Sequence, residues 1–194
     1  VAKLWERVLR RANLPLLYSE GFNPRPRLAL ATALPLGITS ECELLDVSLR
    51  EPISLGGLEN NLMAVSPSGL RIYSIVEVPV RSPALQTLVR SAEYRIHFMD
   101  DFPREALQAR LDTLMGAASF DQQRDRKGKA KVVDLRPLIQ NLCIDDHGDL
   151  IAHLTVGDQG NMRPDELLQA LDLNDLPITV HRFRLHLMAQ PDKI

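Results

Sequence analysis

The sequence is poor in aromatic residues, which make up 5% of its 194 positions, so its core must be built mainly from Leu, Val, Ile and Ala. Neither sign of charge dominates, because the net charge is -2 and the isoelectric point is near 6.2. This balance excludes a protein that is basic throughout, and nucleic-acid binding would require a local basic patch. No apolar run approaches the roughly 18 residues that a membrane-spanning helix needs, and no secretory signal opens the chain.

Cysteine is scarcer still. The two cysteines, Cys42 and Cys143, are far apart and lie in apolar, strand-like contexts. Isolated cysteines of this kind are typical of buried thiols in a reduced, cytoplasmic protein. No Cys-x-x-Cys site, His-x-x-x-His pair or glycine-rich phosphate loop occurs in the sequence. We therefore expect no metal and no bound cofactor, and no membrane association.

The histidines give little indication of catalysis. Four of the five lie in predicted strands: His97, His153, His181 and His186. The fifth, His147, lies in a predicted turn. The spacing of five residues between His181 and His186 predicts that they face opposite sides of a strand. An isolated strand histidine more often has a structural role than a catalytic one.

Hydrophobic periodicity predicts the same order of elements in both halves of the chain. The predicted helices cover 2–12, 55–65, 103–115 and 163–171. The predicted strands cover 43–50, 70–78, 92–99, 138–144, 150–156 and 178–188, with a polar hairpin at 121–131. The apolar run at 28–36 is predicted as a strand or an irregular segment. Residues 1–80 thus read as α-β-β-α-β and residues 90–194 as β-α-β-β-α-β, with a proline-flanked boundary between them.

This order predicts an α+β protein of two tandem ferredoxin-like (βαββαβ) modules, 1–80 and 90–194. The first module lacks its N-terminal strand. We therefore expect either a truncated chain or one segment of a longer polypeptide. The missing strand would leave an unpaired sheet edge that could promote association.

The segment YSEGFNPRPRL, from Tyr18 to Leu28, is the strongest candidate for a ligand-binding loop. Gly21 can adopt backbone angles that other residues avoid, while Pro24 and Pro26 fix φ, so the loop should be stiff. An aromatic ring beside guanidinium groups suits a ligand that carries bases and phosphates. The predicted contacts are Phe22, Asn23, Arg25 and Arg27. The alternative is a structural connection in which Phe22 fills the core.

The most basic segment of the chain is RDRKGKAK, from Arg124 to Lys131. A basic hairpin can follow a phosphate backbone, and the alternative is a solvated surface loop. The predicted phosphate contacts are Arg126, Lys127 and Lys129. Just beyond, Asp134 and Arg136 predict a salt-bridged structural turn.

Two stretches carry a resemblance to a known family. The run YSEGFNPRPRLALATALPLGITSECELLDVSL, together with Leu14-Pro15 and the helix before it, resembles the radical-SAM-associated domain of unknown function. That domain occurs alone or fused behind a cobalamin-binding radical SAM module. The second half is similar to it at Arg126-Lys-Gly-Lys129, Asp134-Leu-Arg-Pro137 and Gly160-Asn-Met-Arg-Pro164. Members usually begin with a further strand, which this sequence lacks.

The resemblance implies a radical SAM protein as partner, in cis or in trans, and a role in RNA modification with tRNA or ribosomal RNA as ligand. Two cysteines cannot supply the three-cysteine iron–sulfur motif of radical SAM chemistry, so that chemistry would belong to the partner. We expect a non-catalytic RNA-binding or substrate-presenting module. The alternatives are a docking domain without RNA contact and a ribonuclease of the tandem ferredoxin-like type, which would need a histidine lining its cleft.

Overall fold

The computed structural model describes residues 1–126, 129–157 and 160–188, which form two compact units. Unit 1 consists of Val1–Ala31 and Leu44–Leu85, and unit 2 consists of Thr32–Glu43 and Gln86–Ile194. The described residues include five α-helices and several sheets, so the predicted α+β class is confirmed. None of the helices in the described part is long and apolar enough to cross a bilayer.

The described chain contains helices and strands in mixed order. The helices are α1 (Ala2–Arg11), α2 (Leu58–Val65), α3 (Leu85–Leu88), α4 (Arg104–Gly116) and α5 (Pro164–Ala170). The strands are β1 (Leu28–Leu30), β2 (Ile38–Ser40), β3 (Leu45–Val47), β4 (Val89–Phe98), β5 (Asp121–Arg126), β6 (Lys129–Asp134), β7 (Ile139–Ile144), β8 (Leu150–Thr155) and β9 (Ile178–Leu187). A short 3-10 helix at Arg136–Leu138 precedes β7.

Unit 1 forms its core between its two long helices. Val8 and Leu9 of α1 are each 2% exposed, and they share one apolar cluster with Leu16 and with Leu58 and Leu62 of α2. These positions follow the helical spacing of the sequence, since residues three and four apart lie on the same face. The predicted first helix is therefore confirmed.

Three elements of the first half differ from the prediction. The apolar run at 28–36 forms a strand only over Leu28–Leu30 and is irregular beyond it. The second helix begins at Leu58 rather than near residue 55, because Gly57 has a φ of +76° and ends the preceding turn in the left-handed region. The strand predicted at 70–78 is wrong, since the only sheet described in unit 1 is the antiparallel pair β1–β3. A strand needs a neighbour to satisfy its backbone, and no described strand lies beside this segment.

Unit 2 contains a five-stranded sheet in the order β2-β9-β4-β8-β7. Its pairs are antiparallel except that β2 runs parallel to β9. Every helix and strand predicted between residues 92 and 188 is present, with bounds that differ by at most three residues. The succession β4-α4-β7-β8-α5-β9 is interrupted by the hairpin β5–β6. The position of β2 was not predicted, because its three residues carry no periodicity.

Candidate functional site

The candidate ligand-binding loop, Tyr18–Leu28, is a hairpin, and it is called the proline loop below. The backbone N–H of Ser19 donates to the carbonyl of Arg25 at 2.8 Å, and the N–H of Arg25 donates to the Ser19 hydroxyl at 3.1 Å. The N–H of Arg27 donates to the carbonyl of Leu17 at 2.8 Å. Pro26 lies between Arg25 and Arg27, at a position where the backbone nitrogen points away from the opposite strand. Its missing N–H therefore costs no cross-strand hydrogen bond.

Phe22 stands at the tip of the proline loop, where the residue is fully exposed, at 103% of its reference accessible surface. Gly21 beside it has a φ of +128°, which L side chains rarely adopt, so the turn depends on glycine here. The alternative in which Phe22 fills the core is therefore wrong. An aromatic side chain left in water forgoes roughly 1.5–3 kcal/mol of favourable burial. Such a ring is available to stack on a planar ligand.

An open depression of about 290 Å³ lies against the proline loop. Its polar lining comes from Ser19, Arg25 and Arg27 of the loop and from Asp46 and Ser48, in and just after β3. Burial raises the pKa of the Asp46 carboxyl above its ordinary value. Guanidinium groups, hydroxyls and one carboxyl therefore line a single concave surface. No histidine is among the residues described there, so the depression lacks the group that the ribonuclease alternative requires.

A ring of backbone hydrogen bonds fixes the base of the proline loop. The N–H of Leu17 donates to the carbonyl of Ser48 at 2.9 Å, that of Ser48 to Arg27 at 3.1 Å, and that of Arg27 back to Leu17 at 2.8 Å. The guanidinium of Arg10 also lies 5.8 Å from the centre of the Tyr18 ring, a cation–π contact that ties the loop to α1. The loop is thus held before any ligand arrives.

The predicted basic hairpin forms from β5 and β6 in unit 2. Within it, Arg124 does not offer a free charge, because its Nε and Nη2 donate to Glu166 at 2.7 and 2.6 Å. The side chains of the predicted contacts Arg126 and Lys129 are not described, and Lys127 lies outside the described residues. Their proposed phosphate contacts stay predictions.

The turn after the basic hairpin is structural, but it is not salt-bridged. Asp134 Oδ1 accepts hydrogen bonds from the backbone N–H groups of Phe120 and Arg136 at 2.8 and 3.0 Å. The guanidinium of Arg136 instead donates to the carbonyls of Met115 and Ile139. The two side chains thus bind backbone groups rather than each other, and the predicted ion pair is wrong.

Sequence reasoning missed a buried ion pair in unit 2. Arg182 is 0% exposed, and its Nε and Nη2 donate to the two carboxylate oxygens of Glu43 at 2.9 and 2.6 Å. The Ser40 hydroxyl donates to the same carboxylate at 2.5 Å. Glu43 and Arg182 are 139 residues apart, and no local pattern connects them. This pair has the features of a structural element that fastens the segment after β2 to β9.

The cysteines also differ from the prediction. Cys143 is exposed and Cys42 is half-buried, so the expectation of two buried thiols is wrong for Cys143. Cys143 lies on the edge strand β7, where alternate side chains point to solvent. Burial is the main cause that raises the pKa of the Cys42 thiol, so at neutral pH it stays protonated and is a poor nucleophile.

The prediction that His181 and His186 face opposite sides is wrong. His181 pairs with Arg95 and His186 pairs with Ser91, and these two β4 residues are four apart and share one face. Between the two histidines β9 contains a bulge at Phe183, which resets the alternation of its side chains. Both imidazoles therefore lie on the same face of the sheet of unit 2.

The neighbours of the strand histidines fit structural roles. His186 Nε2 lies 2.6 Å from Glu93, His153 Nε2 lies 2.7 Å from the hydroxyl of Ser91, and the two imidazole rings are 4.7 Å apart. Burial and the neighbouring His186 lower the pKa of His153. Ser91 is 3% exposed, too buried to act as a nucleophile. The described residues contain no group of His, Cys, Asp and Glu arranged to hold a metal ion.

Comparison with known proteins gives one finding. The sequence profile of a family described as "Uncharacterized protein conserved in bacteria (DUF2344)" matches residues 1–164. No curated protein and no solved structure matches the chain.

Proposed function

We propose that this chain, which belongs to that family of uncharacterized bacterial proteins, is a non-catalytic module that binds single-stranded RNA through its proline loop. The observation that carries the proposal is the full exposure of Phe22 at the tip of a hairpin that backbone hydrogen bonds hold in place. Single-stranded RNA is recognised by stacking its bases on aromatic side chains, and each stacked base contributes about 1–3 kcal/mol.

The guanidinium groups of the loop supply the charge. Arg25 and Arg27 are exposed, and within the described residues neither forms a salt bridge. Their charge is therefore available to neutralise phosphates on either side of a base stacked on Phe22. Asn23, next to that ring, contributes an amide that can donate or accept a hydrogen bond.

The depression beside the loop supports contact with the polar edge of a base. Asp46 can accept hydrogen bonds from an exocyclic amino group, and the Ser48 hydroxyl can donate or accept. A carboxylate repels the phosphates of a bound RNA. Its presence in a phosphate-binding depression therefore indicates a different contact, such as a hydrogen bond to a base. Its place in the same depression as Arg25 and Arg27 fits a site that reads an amino-bearing base and holds its phosphates.

The wider setting belongs to the same proposal. The resemblance to the radical-SAM-associated domain supports a role in which the chain presents tRNA or ribosomal RNA to a radical SAM enzyme in the cytoplasm. Arg126, Lys127 and Lys129 of unit 2 would contribute phosphate contacts of their own. The antiparallel order β9-β4-β8-β7 supports a ferredoxin-like module in unit 2, and unit 1 would be the second, incomplete module.

The test is fluorescence anisotropy with labelled single-stranded RNA, bulk tRNA and ribosomal RNA fragments at two salt concentrations. Arg25→Ala should weaken binding several-fold and reduce the slope of log K against log salt by about 0.7, the share of one phosphate on a single strand. The matched control is Arg81→Ala, which removes an exposed arginine of unit 1 outside the loop and should bind as the wild type does.

Equal losses in the Arg25→Ala and Arg81→Ala variants would mean that only net charge matters, which contradicts a site at the proline loop. No binding at low salt would overturn the RNA proposal. It would favour the alternative in which the proline loop docks on the radical SAM protein.

A further inference from the structure

The antiparallel pair β1–β3 of unit 1 has one apolar face and one polar face. Leu28 and Val47 lie opposite each other, and both pack against the apolar cluster of unit 1. Ala29 and Asp46, the next pair, also lie opposite each other, and side chains alternate between the two faces of a strand. Asp46 therefore faces away from the core, beside a partner whose side chain is a single methyl group.

Arg27 and Ser48 continue the polar face. The N–H of Ser48 donates to the carbonyl of Arg27 at 3.1 Å, so the pairing extends by one step beyond Leu28. Arg27 is two residues from Ala29, and Ser48 is two residues from Asp46, which places all four on the same face. All four line the depression beside the proline loop, and Arg27 lies diagonally across from Asp46.

The carboxylate of Asp46 has no partner in the part of the chain that the structure describes. It forms no hydrogen bond and no ion pair there, although Arg25 and Arg27 line the same depression. Asp46 is half-buried, and burial alone raises the pKa of its carboxyl. A carboxylate that has lost part of its hydration without gaining a donor offers two acceptor oxygens to a ligand.

We propose that the Asp46 carboxylate recognises guanine, so that RNA bound at the proline loop carries a guanine in the depression. Guanine selection rests on the RNA-binding function proposed above and narrows it to one base. Guanine alone among the four bases presents two adjacent donors, N1–H and the N2 amino group, on its Watson–Crick edge. These donors match the two oxygens of one carboxylate. The hydroxyl of Ser48, on the same face, can donate to the neighbouring O6.

The other three bases bring an acceptor against the same carboxylate. Adenine and cytosine each offer an amino group, but a ring nitrogen with a lone pair stands beside it. Uracil offers one N–H, and a carbonyl flanks that group on either side. Each of these bases therefore sets a lone pair against a carboxylate oxygen, which leaves acceptors unsatisfied and adds repulsion.

The guanine in the depression and the base stacked on Phe22 are different nucleotides. Phe22 is not among the lining residues of the depression, and it stands at the tip of a hairpin that Ser19 and Arg25 close at its base. The guanidinium groups of Arg25 and Arg27 are available to the phosphates that join the two nucleotides. The chain thus selects the base at one position of the strand, while stacking on Phe22 accepts any base at the other.

The test compares labelled uridine-rich oligomers of one length that differ at a single central position, which holds guanine, adenine, cytosine or uracil. In fluorescence anisotropy the guanine oligomer should bind about tenfold more tightly than the other three. Inosine keeps the N1–H but lacks the N2 amino group, so an inosine oligomer should lose several-fold of this preference. Asp46→Asn offers one donor and one acceptor, which do not match guanine, so its preference for guanine should disappear.

The matched control is Glu59→Gln, which removes an exposed carboxylate of α2 outside the depression and should keep the guanine preference. This control also measures the general gain in RNA affinity when a negative charge is removed. Binding of the uracil oligomer by Asp46→Asn shows that this variant is folded.

Two failures are distinguishable. If the oligomers bind but the wild type ranks the four bases alike, or if Asp46→Asn keeps the preference for guanine, guanine recognition is overturned while RNA binding stands. If no oligomer binds at low salt, the RNA-binding function is overturned and guanine recognition with it. Free GMP that displaces the guanine oligomer at equal concentration would also contradict the proposal, because the ligand would then be a nucleotide rather than a strand.

Discussion

Ser19 and Arg25 exchange two hydrogen bonds across the base of the proline loop. The N–H of Ser19 donates to the carbonyl of Arg25 at 2.8 Å, and the Ser19 hydroxyl accepts the N–H of Arg25 at 3.1 Å. The backbone bond closes the hairpin, and the side-chain bond makes the closure depend on the residue type at position 19. The backbone at Arg25 is thus held by a hydroxyl six residues earlier.

Replacing Ser19 by Ala should loosen the loop without unfolding the chain. The lost hydrogen bond is exposed, so water can replace it, and the free energy of unfolding should fall by about 1 kcal/mol or less. RNA affinity should fall several-fold because ordering the loop then opposes binding. Urea denaturation and anisotropy measure the two effects, and Ser19→Thr, which keeps a hydroxyl, is the control. Wild-type affinity in Ser19→Ala would show that the loop needs no such fastening.

The buried pair of Arg182 and Glu43 should be the most sensitive polar interaction of unit 2. Arg182→Met leaves a partly buried carboxylate without its partner, which typically costs about 3–5 kcal/mol. Because Glu43 is 22% exposed in its side chain, we expect the lower end of this range. The control is Asp165→Asn, which removes the exposed ion pair with Arg163 and should cost about 1 kcal/mol or less. Similar losses in the two variants, measured by denaturant unfolding, would contradict the assignment.

Acid should destabilise unit 2 through His153. Its pKa is lowered in the folded state by burial and by the nearby His186, so the unfolded chain binds the proton more readily. Stability should therefore decrease as the pH falls below the ordinary histidine pKa of about 6.5. The Tm of His153→Gln should fall less than the Tm of the wild type when the pH is lowered from about 8 to about 5.5. Equal losses of Tm would rule out this histidine as the cause.

Glu93 should add to the acid sensitivity at lower pH. Partial burial raises its pKa, but the hydrogen bond from His186 and the charge of Arg184 outweigh this, and the net shift is downward. A carboxyl with a lowered pKa stabilises the folded state above its ordinary range, and this stabilisation is lost as acid protonates it. The decline in Tm of His153→Gln should therefore resume at more acid pH, and it should be smaller in the double variant H153Q/E93Q.

The ionised carboxyl of Asp46 should lower the free energy of unfolding at neutral pH. Its pKa is raised by burial, so the folded state favours the protonated carboxyl and stability falls as the pH rises through that pKa. Asp46→Asn should therefore be more stable than the wild type at neutral pH, and the gain should disappear in acid. The exposed turn residue Asp146 is the control, since Asp146→Asn should change little. A loss of stability at neutral pH in Asp46→Asn would mean that this carboxylate has a favourable partner.

The sequence predicted elements with strong periodicity and failed where partners are distant. The helix of Leu107, Leu111 and Leu114 was found because its core-facing residues recur every three or four positions. The short strand β2 was not found, since its only described sheet neighbour is β9, at the far end of the sequence. The strand at 70–78 was predicted from the alternation of its residues, but alternation does not supply a neighbouring strand.

The candidate site shows the same limit. The stiffness and exposure of the proline loop follow from its glycine and prolines, which act locally. Arg124 is hydrogen-bonded to Glu166, which lies 42 positions away. The sequence alone therefore indicated that the charge of Arg124 was free. His181 and His186 share a face only because of a bulge, which alternation along one strand does not reveal.

The most direct test of the account is a tryptophan at the tip of the proline loop. Phe22→Trp places an indole where the native ring is fully exposed, and the wild type, which contains one tryptophan, Trp5, supplies the background emission. Titration with single-stranded RNA should quench the new emission, because a stacked base contacts the indole directly. Quenching should follow the anisotropy curve and should weaken in F22W/R25A. RNA binding that leaves the emission at position 22 unchanged would contradict a site at the proline loop.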